Sequence, residues 1–140
     1  CMPPESQELI HSKDPARKTD GAILSTTVYY DLLNKMIGFA RICGQDADIS
    51  GYESLAAKIK AAYNAKFFNK ETAEYGNNTV TANILSLRLG LVPEGYEGKV
   101  FSNIVKKTEE DFNGHVSTGV FGNPASDART YRVRWTGTCL

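Results

Sequence analysis

Apolar residues recur every three or four positions through most of the first 112 residues, a spacing that predicts amphipathic helices rather than strands. Over 22–43 the recurring positions are Leu24, Val28, Leu32, Met36, Phe39 and Cys43, which draw one helical face. Thr19 and Asp20 are suited to capping its start, and Gly44 fits its stop. A second helix is predicted over 49–68, with Asp46, Ala47 and Asp48 ahead of it and a stripe of Tyr52, Leu55, Ala56, Ile59, Tyr63 and Phe67. Lys58, Lys60, Asn64 and Lys66 fall off that stripe and read as a solvated face. Polar residues and Gly76 interrupt the pattern over 69–78. A shorter, more apolar helix follows over 79–89, bounded by Gly90 and Pro93. A fourth spans 96–112, with Val100, Ile104, Val105, Thr108 and Phe112 on one side. Residues 1–20 show no periodicity and read as loop, and the alternation of Tyr131, Val133 and Trp135 is the one strand-like pattern. Four helices with short links predict an all-α fold of antiparallel αα-hairpins.

Composition narrows the function classes. An apolar content of 41% is that of an ordinary folded domain. Sixteen basic and sixteen acidic residues cancel, which argues against nucleic acid or an anionic membrane as partner. No apolar run approaches the roughly 20 residues that span a bilayer. The start, Cys1-Met2-Pro3-Pro4-Glu5, shows no basic segment followed by an apolar one, so no secretion signal is visible in it. Without an initiating Met the chain reads as an excerpt of something longer. Cys1, Cys43 and Cys139 have no paired spacing and no neighbouring His pair, so no metal site is expected, and no cofactor-binding motif is visible. Cys43 is expected to be a small buried residue of its helix, and pairing of Cys1 with Cys139 stays open.

Three segments carry a resemblance. Cys1-Met2-Pro3-Pro4-Glu5-Ser6 is similar to the stretch that follows a Gly-Asp-Trp motif in bacterial α-L-rhamnosidases. Tyr75-Gly76-Asn77-Asn78-Thr79-Val80-Thr81-Ala82, followed by Leu89-Gly90-Leu91-Val92-Pro93, resembles that family's loop, Thr-Ala helix and Gly-Leu-Val-Pro turn. Gly114-His115-Val116-Ser117-Thr118-Gly119 resembles its His-(apolar)-Ser/Thr-Thr-Gly loop. The resemblance covers about residues 1–122 and implies part of an (α/α)6 toroid, in which six helical hairpins close into a ring and the loops at one end line a sugar pocket. Two hairpins make an arc of such a ring. Cut out alone, the arc is expected to leave apolar helix faces open to self-association.

From Asn123 to Leu140 the resemblance stops and the chain becomes polar, Arg-rich and aperiodic. A reading-frame slip is one explanation, because codons for 123–130 exist that read Ile-Gln-Leu-Val-Met-Arg-Val-Leu one nucleotide over. A divergent tail is the other. The domain is therefore expected over 1–122, with 123–140 set apart.

The chemistry implied by the resemblance is inverting hydrolysis of terminal α-L-rhamnosyl groups by two carboxyl groups, one donating a proton and one activating water. In the family the acid stands in an Asp-Glu-Arg motif and the base in a Trp-Glu motif. Neither occurs here, since Trp135 is followed by Thr136, and no catalytic residue is assigned. The implied substrate is a rhamnose-containing carbohydrate. His115 and Thr118, in a Gly-flanked loop, and Asn77 and Asn78, ahead of the third helix, are the candidate sugar-binding residues, and turn formation or helix capping is the plainer role for the two asparagines. Glu5 and the run Glu109-Glu110-Asp111 read as surface carboxylates, and His11 receives no role. Two other readings remain open: a non-enzymatic helical interaction module, and a six-hairpin glycosidase acting on another sugar. Export suits a polysaccharide degrader, but no residue specifies a compartment.

Overall fold

The computed structural model describes residues 18–111. Among them the order is α1 (Gly21–Ile42), α2 (Asp46–Phe67), β1 (Phe68–Asn69), β2 (Glu74–Tyr75), α3 (Val80–Arg88) and α4 (Glu97–Glu110). The all-α expectation holds, with one addition: a two-residue antiparallel ladder pairs Phe68 with Tyr75 and Asn69 with Glu74 inside the 69–78 interruption. Two rungs are too short to leave an alternating pattern in sequence.

Local chemistry sets the helix ends. Asp20 caps α1, its Oδ1 accepting from the Ala22 N–H at 2.8 Å. At the other end the Gln45 N–H reaches the Ala40 carbonyl and the Gly44 N–H the Arg41 carbonyl, closing the helix before a three-residue turn. α2 begins at Asp46, three residues ahead of the sequence expectation; its Asp46 and Asp48 lie in the first turn, where carboxylates oppose the positive end of the helix dipole. α3 stops in the same way as α1. The Leu91 N–H bonds to the Ser86 carbonyl and the Gly90 N–H to that of Leu87. Gly90 takes φ +67° there, a backbone state that a Cβ penalises.

α1 and α2 form one antiparallel hairpin, α3 and α4 a second. The core lies beneath the β-turn region, where Ile23, Tyr63, Ala73, Tyr75, Val80, Ile84, Leu91, Val100 and Ile104 pack together. Tyr63 and Tyr75 stack with ring centres 5.3 Å apart, and Phe68 meets Tyr75 at 5.0 Å. α3 buries six of its nine residues. α4 buries Val100 and Ile104, as its sequence stripe predicts.

α1 departs from expectation. The residues it buries are Ile23, Thr27, Leu33, Ile37 and Ala40. Of the stripe read from sequence, Leu24 packs against the core, but the rest turns outward: Val28, Leu32 and Met36 are exposed, and Phe39 is 60% exposed. The helix is apolar on more than one side, so its period identifies a helix without choosing which side meets the second hairpin. Cys43 is also exposed, not buried, because α1 ends there and its side chain joins the turn.

Candidate functional site

The two hairpins bring three segments to one end of the helices. The strand-and-turn segment 68–79 links the C-terminal end of α2 to the N-terminal end of α3. The antiparallel packing of α1 on α2 sets residues 18–20 beside it. The hydroxyls of Thr19 and Thr79 meet at 2.8 Å, and Asn77 Nδ2 donates to the Lys18 carbonyl at 2.8 Å. α4 reaches the same end, with Asn103 at its middle donating through Nδ2 to the Thr72 and Ala73 carbonyls at 2.8 and 3.0 Å.

The turn itself is tightly specified. Gly76 and Asn78 both adopt left-handed backbone angles, φ +58° and +57°. At Gly76 a Cβ would fall 2.6 Å from Ile23 Cδ1, so a side chain there would also have to displace the end of the buried Ile23. Thr79 caps α3, its Oγ1 accepting from the Ala82 N–H at 3.3 Å. Below the turn lies Asn83, fully buried in α3. Its Oδ1 accepts from the Tyr75 N–H at 3.0 Å, and its Nδ2 donates to Asn78 Oδ1 at 2.6 Å. Asn78 Nδ2 in turn donates to Glu74 Oε1 at 2.8 Å.

Two tyrosines anchor this layer to α2. Tyr63 shares a hydrogen bond with Ser86 at 2.7 Å, and burial pushes its pKa up to about 12, against a smaller lowering by Ser86. Tyr75 donates to Asn64 Oδ1 at 2.7 Å; burial, followed by the neighbouring Tyr63, raises its pKa as well.

A polar cleft of about 190 Å³ opens between the turn and α4, lined by Glu74, Asn78, Asn103, Lys106, Lys107, Glu110 and Asp111. Of the sequence-selected residues, Asn78 lines it while both ends of its amide serve the turn. Asn77 is exposed and ties the turn to Lys18. Glu109 and Glu110 are exposed on α4, and Asp111 follows it. His115, Thr118, Glu5, His11, Cys1, Cys139, the strand pattern of 131–135 and the whole of 123–140 lie outside the described residues. Sequence reading missed Glu74 and Asn83. The signal for Asn83 was an amide beside Ala82, Ile84 and Leu85 in a short helix that buries most of its residues, where a polar side chain needs a specific partner. Among the described residues no group of three or more His, Cys, Asp or Glu is placed to hold a metal ion, and no helix is long and apolar enough to cross a membrane.

Helical hairpins with their loops gathered at one end define the class: a helical-hairpin domain. The family model for the bacterial alpha-L-rhamnosidase six-hairpin glycosidase domain matches residues 5–128, and the chain belongs to that family of glycoside hydrolases. It is also similar to an alpha-L-rhamnosidase of Formosa agariphila, with 30% identity over 116 residues. That alignment covers 77% of this chain and 12% of the relative, so the chain spans about an eighth of that relative's length. No solved structure matches it.

Proposed function

We propose that these residues are an arc of the catalytic domain of an α-L-rhamnosidase, which removes terminal α-L-rhamnosyl groups from glycans or glycosides with inversion at the anomeric carbon. The family match over 5–128 carries this reading. It is supported by the gathering of segment 75–79, residues 18–20 and the end of α4 at one end of the helices, where a sugar pocket belongs in a hairpin ring. Asn77 and Asn78, with His115 and Thr118 from the loop that follows α4 in sequence, contribute to the sugar-facing end. The two carboxyl groups that inversion needs, roughly 6.5–9.5 Å apart with a water between, come from parts of the catalytic domain beyond this arc. Alone, the 140 residues do not hydrolyse rhamnosides. The tail 123–140 is set apart from the domain, and sequencing the gene in all frames checks a slip in its reading.

The experiment is hydrolysis of an aryl α-L-rhamnoside followed by proton NMR. The intact protein should release rhamnose whose first-formed anomer is β, and the 140-residue chain should release none. Release of the α anomer first, cleavage by the short chain, or no rhamnosidase activity in the intact protein would each contradict the reading.

A further inference from the structure

Resting on the glycosidase reading, we propose that the Glu74 carboxylate is a saccharide-binding group and that Asn83 is the residue that positions it through Asn78. The hydrogen-bond chain starts at a donor whose direction is fixed. The Tyr75 backbone N–H can only donate, so the fully buried Asn83 must turn its carbonyl toward it. That leaves Asn83 Nδ2 as donor to Asn78 Oδ1 at 2.6 Å. Asn78 has then spent its carbonyl and presents its NH2 outward, to Glu74 Oε1 at 2.8 Å. Each amide's orientation dictates the next, and the last link holds one oxygen of a half-buried carboxylate at the wall of the cleft.

The second Glu74 oxygen accepts no hydrogen bond from the described residues, and Glu74 makes no ion pair with them. The lysines across the cleft are matched by carboxylates of their own helix, Lys107 with Asp111 at 3.4 Å and Lys106 with Glu110 at 3.9 Å. A wall with three carboxylates and two lysines disfavours an anion, and Glu74 adds an acceptor without a cation beside it. Neutral hydroxyl groups fit this lining, since each donates to a carboxylate and accepts from an ammonium. At about 190 Å³ the cleft lies below the range of drug-sized pockets and suits one sugar unit rather than a run of them. It opens at the end of the helices where segment 68–79, residues 18–20 and α4 meet, the end that the proposed function takes as sugar-facing, which places Glu74 to hold a sugar unit of the bound glycan.

The test uses the intact protein and two readouts, KM and kcat on an aryl α-L-rhamnoside, and saturation-transfer NMR with L-rhamnose. Glu74→Gln keeps the carbonyl that Asn78 needs and replaces the outward acceptor with a donor. It should raise KM about tenfold, the cost of roughly one hydrogen bond to a charged group, with kcat within about twofold and the melting temperature unchanged. Lys106 is 70% exposed along its side chain, so Lys106→Trp obstructs the cleft without touching the core and should raise KM in the same direction. The rhamnose signal should weaken in both variants. Unchanged KM and an unchanged NMR signal in both overturn the proposal. If Glu74→Gln loses stability, the Lys106→Trp result decides. An intact protein that cleaves no rhamnoside refutes the wider reading; loss in both variants of NMR binding to any monosaccharide in a panel would still uphold the role of Glu74, and its persistence would refute it.

Discussion

α1 and α3 are both apolar helices, and they meet opposite fates. α3 is nine residues long and buries six of them, including Asn83 and Ser86, whose polar groups all find partners. α1 is 22 residues long and buries five, leaving Val28, Tyr29, Leu32, Met36, Phe39 and Ile42 in solvent. Length does not explain the contrast. α3 is enclosed by α4, by the β-turn layer and by Tyr63 of α2, whereas α1 is covered on one side by α2 and at its start by the turn. A helix that carries apolar side chains around most of its circumference needs neighbours on most of its circumference. α1 has them on one side among the described residues; under the proposed reading, the other side is where the next hairpin of the ring would pack.

The contrast is broken most severely at Tyr63. Truncation by Tyr63→Ala removes a ring stacked on Tyr75 and leaves Ser86 short of a partner, and should cost about 3–5 kcal/mol in urea unfolding of the domain. Next comes the turn above it. Gly76→Ala combines a left-handed backbone angle with a 2.6 Å approach to Ile23, and should cost about 1–3 kcal/mol in the same measurement. The tyrosine layer also gives a pH signature. The folded-state pKa of Tyr63 is raised from 10.0 to about 12, so the unfolded chain loses its proton first. Its contribution to stability is therefore complete below pH 10 and lost as pH rises toward 12, with Tyr75 acting in the same direction. Tyr63→Phe should lessen this alkaline loss while costing about 1 kcal/mol at neutral pH. The smallest effect is the sharpest: Phe39→Ala should change the stability of the 140-residue chain by less than about 0.5 kcal/mol, yet cost about 3 kcal/mol in the intact protein, where a neighbouring hairpin covers that face. Equal losses in both settings would show that α1's outer face is filled the same way in each.

Particular residues show what was legible in sequence. Asp20, Gly44 and Gly90 announced their helix ends, because capping and left-handed closure depend on residue type within a few positions. The stripe Val100 and Ile104 was read correctly, because α4 has one apolar side. The stripe of α1 was assigned to the wrong side, because Leu32 and Leu33, like Met36 and Ile37, are adjacent apolar residues that periodicity cannot rank. Cys43 misled for a related reason: a favourable residue at the last turn of a helix ends up in the link. The turn at 75–79 stood out in sequence as a motif, but the joining of Lys18 to Asn77 and of Thr19 to Thr79 spans about sixty residues and leaves no local trace. Glu74 was passed over because its meaning depends on a buried amide nine residues further on.

The meeting of residues 18 and 19 with 77 and 79 has a consequence for how this unit tolerates change. Everything between those points, α1 out and α2 back, forms a long staple whose two feet are fastened together and whose crown is the three-residue bend at 43–45. At about 1.5 Å per residue the crown sits roughly 30 Å from the feet. Added residues, a tag or a proteolytic nick at the crown would leave the fastened end in place, so natural variation and engineering alike have a free margin there that the fastened end does not offer.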